Sequence, residues 1–144
     1  MKKLIAVLLL LAFLPVVNAQ SNFDIGAVSI EQLQEIAARK NIEVPEAAII
    51  LVKENERINL IISDTRNLNV VLANYKVSTI NEGLLEDSTV DIIATRNAVN
   101  QMSTTDNVKE TLTELINNKE IEVKPKGFFN KLKIGFAKLF LKFL

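Results

Sequence analysis

Apolar positions along this chain change rhythm twice. Over residues 28–41 they recur three and four apart, the spacing of one helix face. From 47 to 95 they alternate with polar residues or run together in short bursts, as strands do. Beyond 95 the helical spacing returns, broken by one more alternating stretch before residue 125.

The first helix has a start signal. Ser29-Ile-Glu-Gln32 reads as a capping box, in which the Ser hydroxyl and Gln amide satisfy the first orphan amides, and Val28 and Leu33 are placed to form a hydrophobic staple. Ile30, Leu33, Ile36 and Ala37 line its buried face, and the helix is expected to end near Lys40-Asn41. Ser21 to Ala27 reads as a mobile lead-in, and Pro45 stops any continuation.

Strands are expected next. Ala47 to Lys53 is a nearly continuous apolar run, then Glu54 to Arg57 a polar turn. Ile58, Leu60 and Ile62 alternate with Asn59, Ile61 and Ser63, and Asp64 to Asn67 makes the following turn. Leu68 to Ala73 and Tyr75 to Ile80 read as two short strands, or as one long strand broken near Asn74, with a turn at Asn81-Glu-Gly83. Leu84 to Ser88 has no clear pattern, and Thr89 to Thr95 is the next strand.

Thr95 can cap a short helix carrying Ala98, Val99 and Met102. Ser103-Thr-Thr-Asp106 is a second start signal, for a helix with Val108, Leu112, Leu115 and Ile116 on one face and a stop at Asn117-Asn118. Glu120 to Lys124 alternates as a final strand. This order predicts an α+β fold: a mostly antiparallel sheet of about five strands, helices on one side, and an amphipathic C-terminal helix.

Composition adds a compartment. Met1-Lys2-Lys3, the apolar run Leu4 to Val17 and the small residues of Val17-Asn18-Ala19 resemble a secretory signal. Residues 1–19 are therefore expected to be a cleaved signal peptide, 20–125 the α+β domain, and 126–144 a basic amphipathic helix packed on that domain. The expected location is secreted or cell envelope, with membrane association through the last helix. There is no Cys, which suits a fold held without disulfides.

The zero net charge conceals a division. Residues 20–123 hold 9 Lys or Arg against 17 Asp or Glu, while residues 124–144 hold six Lys and no acid. Five of the seven Phe lie in Gly127 to Leu144. At helical spacing Phe128, Leu139, Leu132, Phe143, Phe136, Phe129 and Phe140 form one continuous apolar arc, and Lys131, Lys138 and Lys142 cluster away from it. Such an arc calls for a cover: the domain's own core, a lipid, a membrane surface or a partner chain. On a membrane the three Lys would meet anionic headgroups.

The residue inventory removes most chemistry. Without His or Cys there is no Cys nucleophile, no His-based triad and no imidazole or thiolate metal site. The four Gly are isolated, so no phosphate loop forms, and no calcium-loop spacing occurs. Asp64, Glu86-Asp87 and Asp91 are the nearest to paired carboxylates, at positions that are ordinarily solvated. Lys residues embedded among Phe and Leu, with no Arg beside them, do not suit a nucleic-acid backbone. The expectation is a non-enzymatic domain that needs no cofactor or metal and binds no nucleic acid.

Three stretches resemble the sterol carrier protein 2 (SCP2-like) lipid-binding family: Ser88-Thr-Val-Asp-Ile-Ile-Ala-Thr95, Leu115-Ile-Asn-Asn-Lys-Glu-Ile-Glu-Val123 and Lys131-Leu-Lys-Ile-Gly-Phe-Ala-Lys-Leu139. The resemblance covers about two-thirds of the chain after residue 20. It departs where the family carries Gly before and after the last strand; Asn118 and Pro125-Lys126 stand there. The resemblance implies a five-stranded sheet with helices on one face, an apolar tunnel for lipid or acyl chains, and no catalytic residues. It also implies that Phe128, Phe129, Leu132, Phe136 and Phe140 line or lid that cavity, with Leu139 and Phe143 completing the arc. The alternative is a structural or interaction protein that docks to a membrane or partner by its terminal helix.

Overall fold

In a computed structural model of the protein, the structure describes residues 24–40 and 53–126. The expected signal segment, the apolar run from Ala47 to Val52 and everything from Gly127 onward lie outside the described residues.

Eight elements follow in order: α1 (Ile30–Lys40), β1 (Arg57–Ile62), β2 (Arg66–Ala73), β3 (Lys76–Glu82), β4 (Val90–Ala94), α2 (Arg96–Thr104), α3 (Val108–Asn117) and β5 (Ile121–Pro125). The capping box forms as read. The Ser29 amide donates to Gln32 Oε1 at 2.9 Å, and the Gln32 amide donates to Ser29 Oγ at 3.1 Å. Thr95 caps α2 by accepting from the Ala98 amide at 3.0 Å.

Three punctuation marks fall a residue or two away from their expected places. Strand pairing reaches back to Arg66, so the β1–β2 turn is only Ser63 to Thr65, with Asp64 at φ 54°. The cap of α3 is Asn107, whose Oδ1 accepts from the Glu110 amide at 3.4 Å, rather than the Ser103–Asp106 signal. Those upstream hydroxyls are engaged otherwise: Ser103 is buried in α2 and donates to the Asn100 carbonyl at 2.7 Å. The left-handed stop after α3 falls on Lys119 (φ 59°), one residue past Asn118.

Strands β1, β2 and β3 form an antiparallel meander. The β2–β3 turn is Asn74-Tyr75, both with positive φ (51° and 62°), the geometry of a two-residue hairpin that matches strand twist. Gly is usual at the second position. Tyr75 is tolerated there because its ring packs partly buried against the core.

Strand order is β3-β2-β1-β4-β5. The pair β1–β4 is parallel and the other three pairs are antiparallel, so the sheet is mostly antiparallel, as expected. A parallel neighbour needs a crossover, and the chain from Gly83 to Thr89 supplies it.

Alternation and register put Ile58, Leu60 and Ile62 beside Leu68, Val70, Val90, Ile92 and Ala94 on one face. Leu33, Ile36 and Ala37 of α1, Ala98, Val99 and Met102 of α2, and Leu112 and Leu115 of α3 join them in one core. The helices therefore gather on that face, where burial of each large aliphatic side chain stabilises by about 1.5–3 kcal/mol.

Within the described residues the lead-in is packed against the core. Ile25 is 0% exposed in that core, its amide donates to Asn100 Oδ1 at 3.0 Å, and its carbonyl accepts from Arg66. Asp24 receives Arg96 Nε at 2.8 Å, and the Arg96 guanidinium and the Gly26 amide hold its carboxyl well below the usual range. The sequence window around Ile25 is too short to show periodicity, so nothing in the pattern marked it as core. We expect Ile25→Ala to lower stability by about 2–3 kcal/mol, the low end for aliphatic truncation. Urea denaturation with unchanged slope checks it; a loss below about 0.5 kcal/mol would return residues 24–27 to the surface.

Candidate functional site

The sheet's second face, away from the helices, is built from the other phase of each strand. Paired registers place Asn81, Asn69, Asn59, Asp91 and Lys124 in one row across all five strands. Half-buried Ile61, Val71 and Ile93 flank that row. By alternation Asn59 and Asn69 would be solvent positions, yet both are buried.

The crossover explains them. From the edge strand β3 the chain must pass over β2 and β1 to reach β4, and a crossing segment has no ladder partners for its own backbone. Asn69 Nδ2 donates to the carbonyls of Glu82 (3.3 Å) and Gly83 (3.0 Å). Asn59 serves both polarities at Leu85, accepting from its amide at 2.8 Å and donating to its carbonyl at 3.0 Å. Two side-chain amides thus replace the missing strand.

Beyond Leu85 the network becomes charged. Asn59 Nδ2 also lies 2.9 Å from Ser88 Oγ and 3.0 Å from Asp91 Oδ1, so its two hydrogens are shared among three acceptors. Ser88 Oγ donates to Asp91 Oδ1 at 2.8 Å. Lys126 Nζ donates to Ser88 Oγ at 2.6 Å and lies 3.2 Å from Asp91 Oδ1. Burial pushes the Asp91 carboxyl up, but hydrogen bonds from Ser88, Lys126 and Asn59 together with the Lys126 charge outweigh it, and the net direction is down.

A Ser and a Lys at this distance invite comparison with a nucleophile and base. Here Lys126 donates to Ser88, and the Ser88 hydrogen is directed at Asp91. The arrangement is a brace for the crossover. A second carboxylate, Glu56, is fully buried beside Thr89, whose hydroxyl donates to it, while the Lys53 amide donates at 3.2 Å.

Of the carboxylates singled out by sequence, Asp91 is in this network and Asp87 pairs with Arg57 at 2.9 Å. Asp64 and Glu86 are exposed. Among the described residues no cluster of three metal-ligating side chains occurs, and no helix is long and apolar enough to cross a membrane. A shallow groove of about 600 Å³ runs along α3, lined by Asn107, Glu110, Thr113, Glu114, Asn117 and Asn118. The apolar-contact residues Phe128, Phe129, Leu132, Phe136, Leu139, Phe140 and Phe143 and the basic residues Lys131, Lys138 and Lys142 all lie outside the described residues.

The fold defined by these elements is α+β, a mixed and mostly antiparallel five-stranded sheet with helices on one face. Among solved structures it is similar to "UbiJ-SCP2 Ubiquinone synthesis protein", with 15% identity, a TM-score of 0.44, and coverage of 64% of this chain and 84% of that one. It is also similar to palmitated SCP2L2 from Aedes aegypti, with 12% identity, a TM-score of 0.44, and coverage of 81% and 94%. A third likeness is to a double mutant of the sec-alkyl sulfatase PisA1, with 15% identity, a TM-score of 0.48, and 76% of this chain matched to 16% of that one. This chain thus spans about a sixth of the sulfatase. No protein-family model and no curated protein sequence matches it.

Two outcomes follow from the brace. Asn59→Ala strands the Leu85 amide and carbonyl under the crossover, and we expect a loss of about 2–3 kcal/mol in urea denaturation; an effect below about 0.5 kcal/mol would make the network incidental. Because the folded Asp91 lies below its ordinary value of 3.8, its contribution is present above about pH 4 and is lost as pH falls through the folded value. Asp91→Asn should therefore flatten the acid limb of a stability-versus-pH curve; a limb of unchanged steepness would assign acid sensitivity elsewhere.

Proposed function

We propose that this chain is a non-enzymatic, SCP2-like domain that binds a lipid or another apolar ligand in a secreted or envelope setting. One observation carries the reading. Two of the three sequence stretches that resemble the family fall in the elements that the resemblance implied, the third lying outside the described residues: Ser88 to Thr95 runs through β4 directly into the cap of α2, and Leu115 to Val123 runs from the end of α3 into β5. The five-stranded sheet with helices on one face is likewise the implied arrangement.

Chemistry supports the same reading. The core is largely aliphatic, and Asn59, Asn69 and Asp91 of the second face are spent on the crossover. Binding would then be governed by apolar area rather than by a reaction. The apolar arc of Phe128, Phe129, Leu132, Phe136, Leu139, Phe140 and Phe143 is the proposed ligand wall, and Lys131, Lys138 and Lys142 face an anionic surface during loading. The amino-terminal 19 residues act as the export signal.

The test is native mass spectrometry of the gently purified protein, followed by addition of a long-chain fatty acid. A bound mass in the lipid range, or stoichiometric uptake of the added acid, is expected. A variant ending at Lys126 keeps the brace and removes the proposed wall, and should lose uptake. Bare protein from several hosts with no uptake, or equal uptake by the shortened chain, would overturn the reading or the wall respectively.

A further inference from the structure

The two edges of the sheet are treated differently. On β3, the Gly83 amide donates inward to the Asn67 carbonyl at 2.9 Å, which puts Ile80 and Glu82 on the outward phase. The outward Ile80 carbonyl accepts from Gln34 Nε2 of α1 at 2.8 Å, and α1 packs along this strand. The middle of that edge is covered.

At the other edge, the Thr95 amide donates to the Glu120 carbonyl and the Lys126 amide to the Thr89 carbonyl, each at 3.0 Å. Even-numbered residues 120 to 126 therefore turn their backbone groups toward β4. The amides and carbonyls of Ile121 and Val123 and the carbonyl of Pro125 point the other way, where Pro125 brings no amide. Among the described residues no strand lies beyond β5. Glu122 and Lys124 stand on the second face, with side chains 48% and 62% exposed and 3.7 Å apart.

The geometry points to a second copy of this chain as the occupant of that edge, pairing β5 with its own twofold mate, antiparallel and centred on Val123. In that register Val123 exchanges both backbone bonds with the second copy's Val123, and each Ile121 amide donates to a Pro125 carbonyl across the axis. Every outward amide of β5 is used, and the missing amide of Pro125 falls only opposite the Ile121 carbonyl. The helical faces of the two copies continue into one another.

Charge selects this register over its neighbours. Centred on Val123, each Glu122 lies directly opposite a Lys124, at the sites between backbone bonds where side chains approach most closely. A shift one way sets Glu122 against Glu122, and a shift the other way sets Lys124 against Lys124. Like charges directly opposite are destabilising. Exposed charges and a Pro commonly blunt an edge, but here the two charges are complementary to themselves under a twofold.

Sedimentation of the full chain tests the assignment without needing a ligand. The wild type is expected to dimerise at micromolar concentration. Lys124→Glu and Glu122→Lys should each weaken dimerisation at least about tenfold, since each sets like charges opposite one another twice. Mixing these two variants should recover a heterodimer, because one copy then offers two acids and the other two lysines. Circular dichroism confirms that both fold. A monomeric wild type at every concentration, single variants that dimerise as tightly as the wild type, or a mixture that stays monomeric would each overturn the proposal.

Discussion

The structure depends on how the chain gets from β3 to β4. With β1 in the middle of the sheet and β4 as its parallel neighbour, the segment from Gly83 to Thr89 must cross two strands. Its backbone there is under an obligation that no ladder meets. Asn69 and Asn59, at paired positions of β2 and β1, meet it from below. Replacing both partners of such bonds by apolar groups can be nearly neutral, but here one partner is backbone and cannot be changed. The amides are therefore as structural as any core leucine.

Lys126 extends that device. Its ammonium braces Ser88 and Asp91, so the crossover, β4 and the residue just before the Phe-rich segment are held at one point. Arg66 does a similar task on the other side, donating to the carbonyls of Ile25 and Val28 while paired with Glu82. The ends of the described chain are thus tied to the sheet by long cationic side chains whose stems can lie on apolar surface.

What the sequence made legible follows from periodicity. α1 with its capping box, the alternation of β1, the cap at Thr95 and the face of α3 all rest on contacts between residues close in sequence, and they were found. Asn59 and Asn69 were not, because alternation labels them solvent-facing and only the crossover, more than ten residues downstream, buries them. Ile25 was missed for a related reason: it precedes the helix start at Ser29 in a stretch too short to show a period, and its partners Arg66 and Asn100 lie far along the chain. The parallel β1–β4 pairing was illegible too, since parallel partners share no turn. The apolar arc from Phe128 to Phe143 was the plainest pattern in the sequence, and it lies outside the described residues.

The parallel pair also sets an order of assembly. Ile58 pairs with Val90, while the meander of β1, β2 and β3 closes through turns of two and three residues. Local closure is fast and distant closure slow, because the intervening chain must first be gathered. A chain emerging from its amino terminus can therefore complete the meander while the inner edge of β1, carrying the backbone groups of Arg57, Asn59 and Ile61, still waits for β4. That half-built sheet is apolar on one face and open along a strand destined for the centre. It is the species most exposed to pairing with the wrong neighbour, and its lifetime is set by how quickly the crossover lays itself over Asn69 and Asn59.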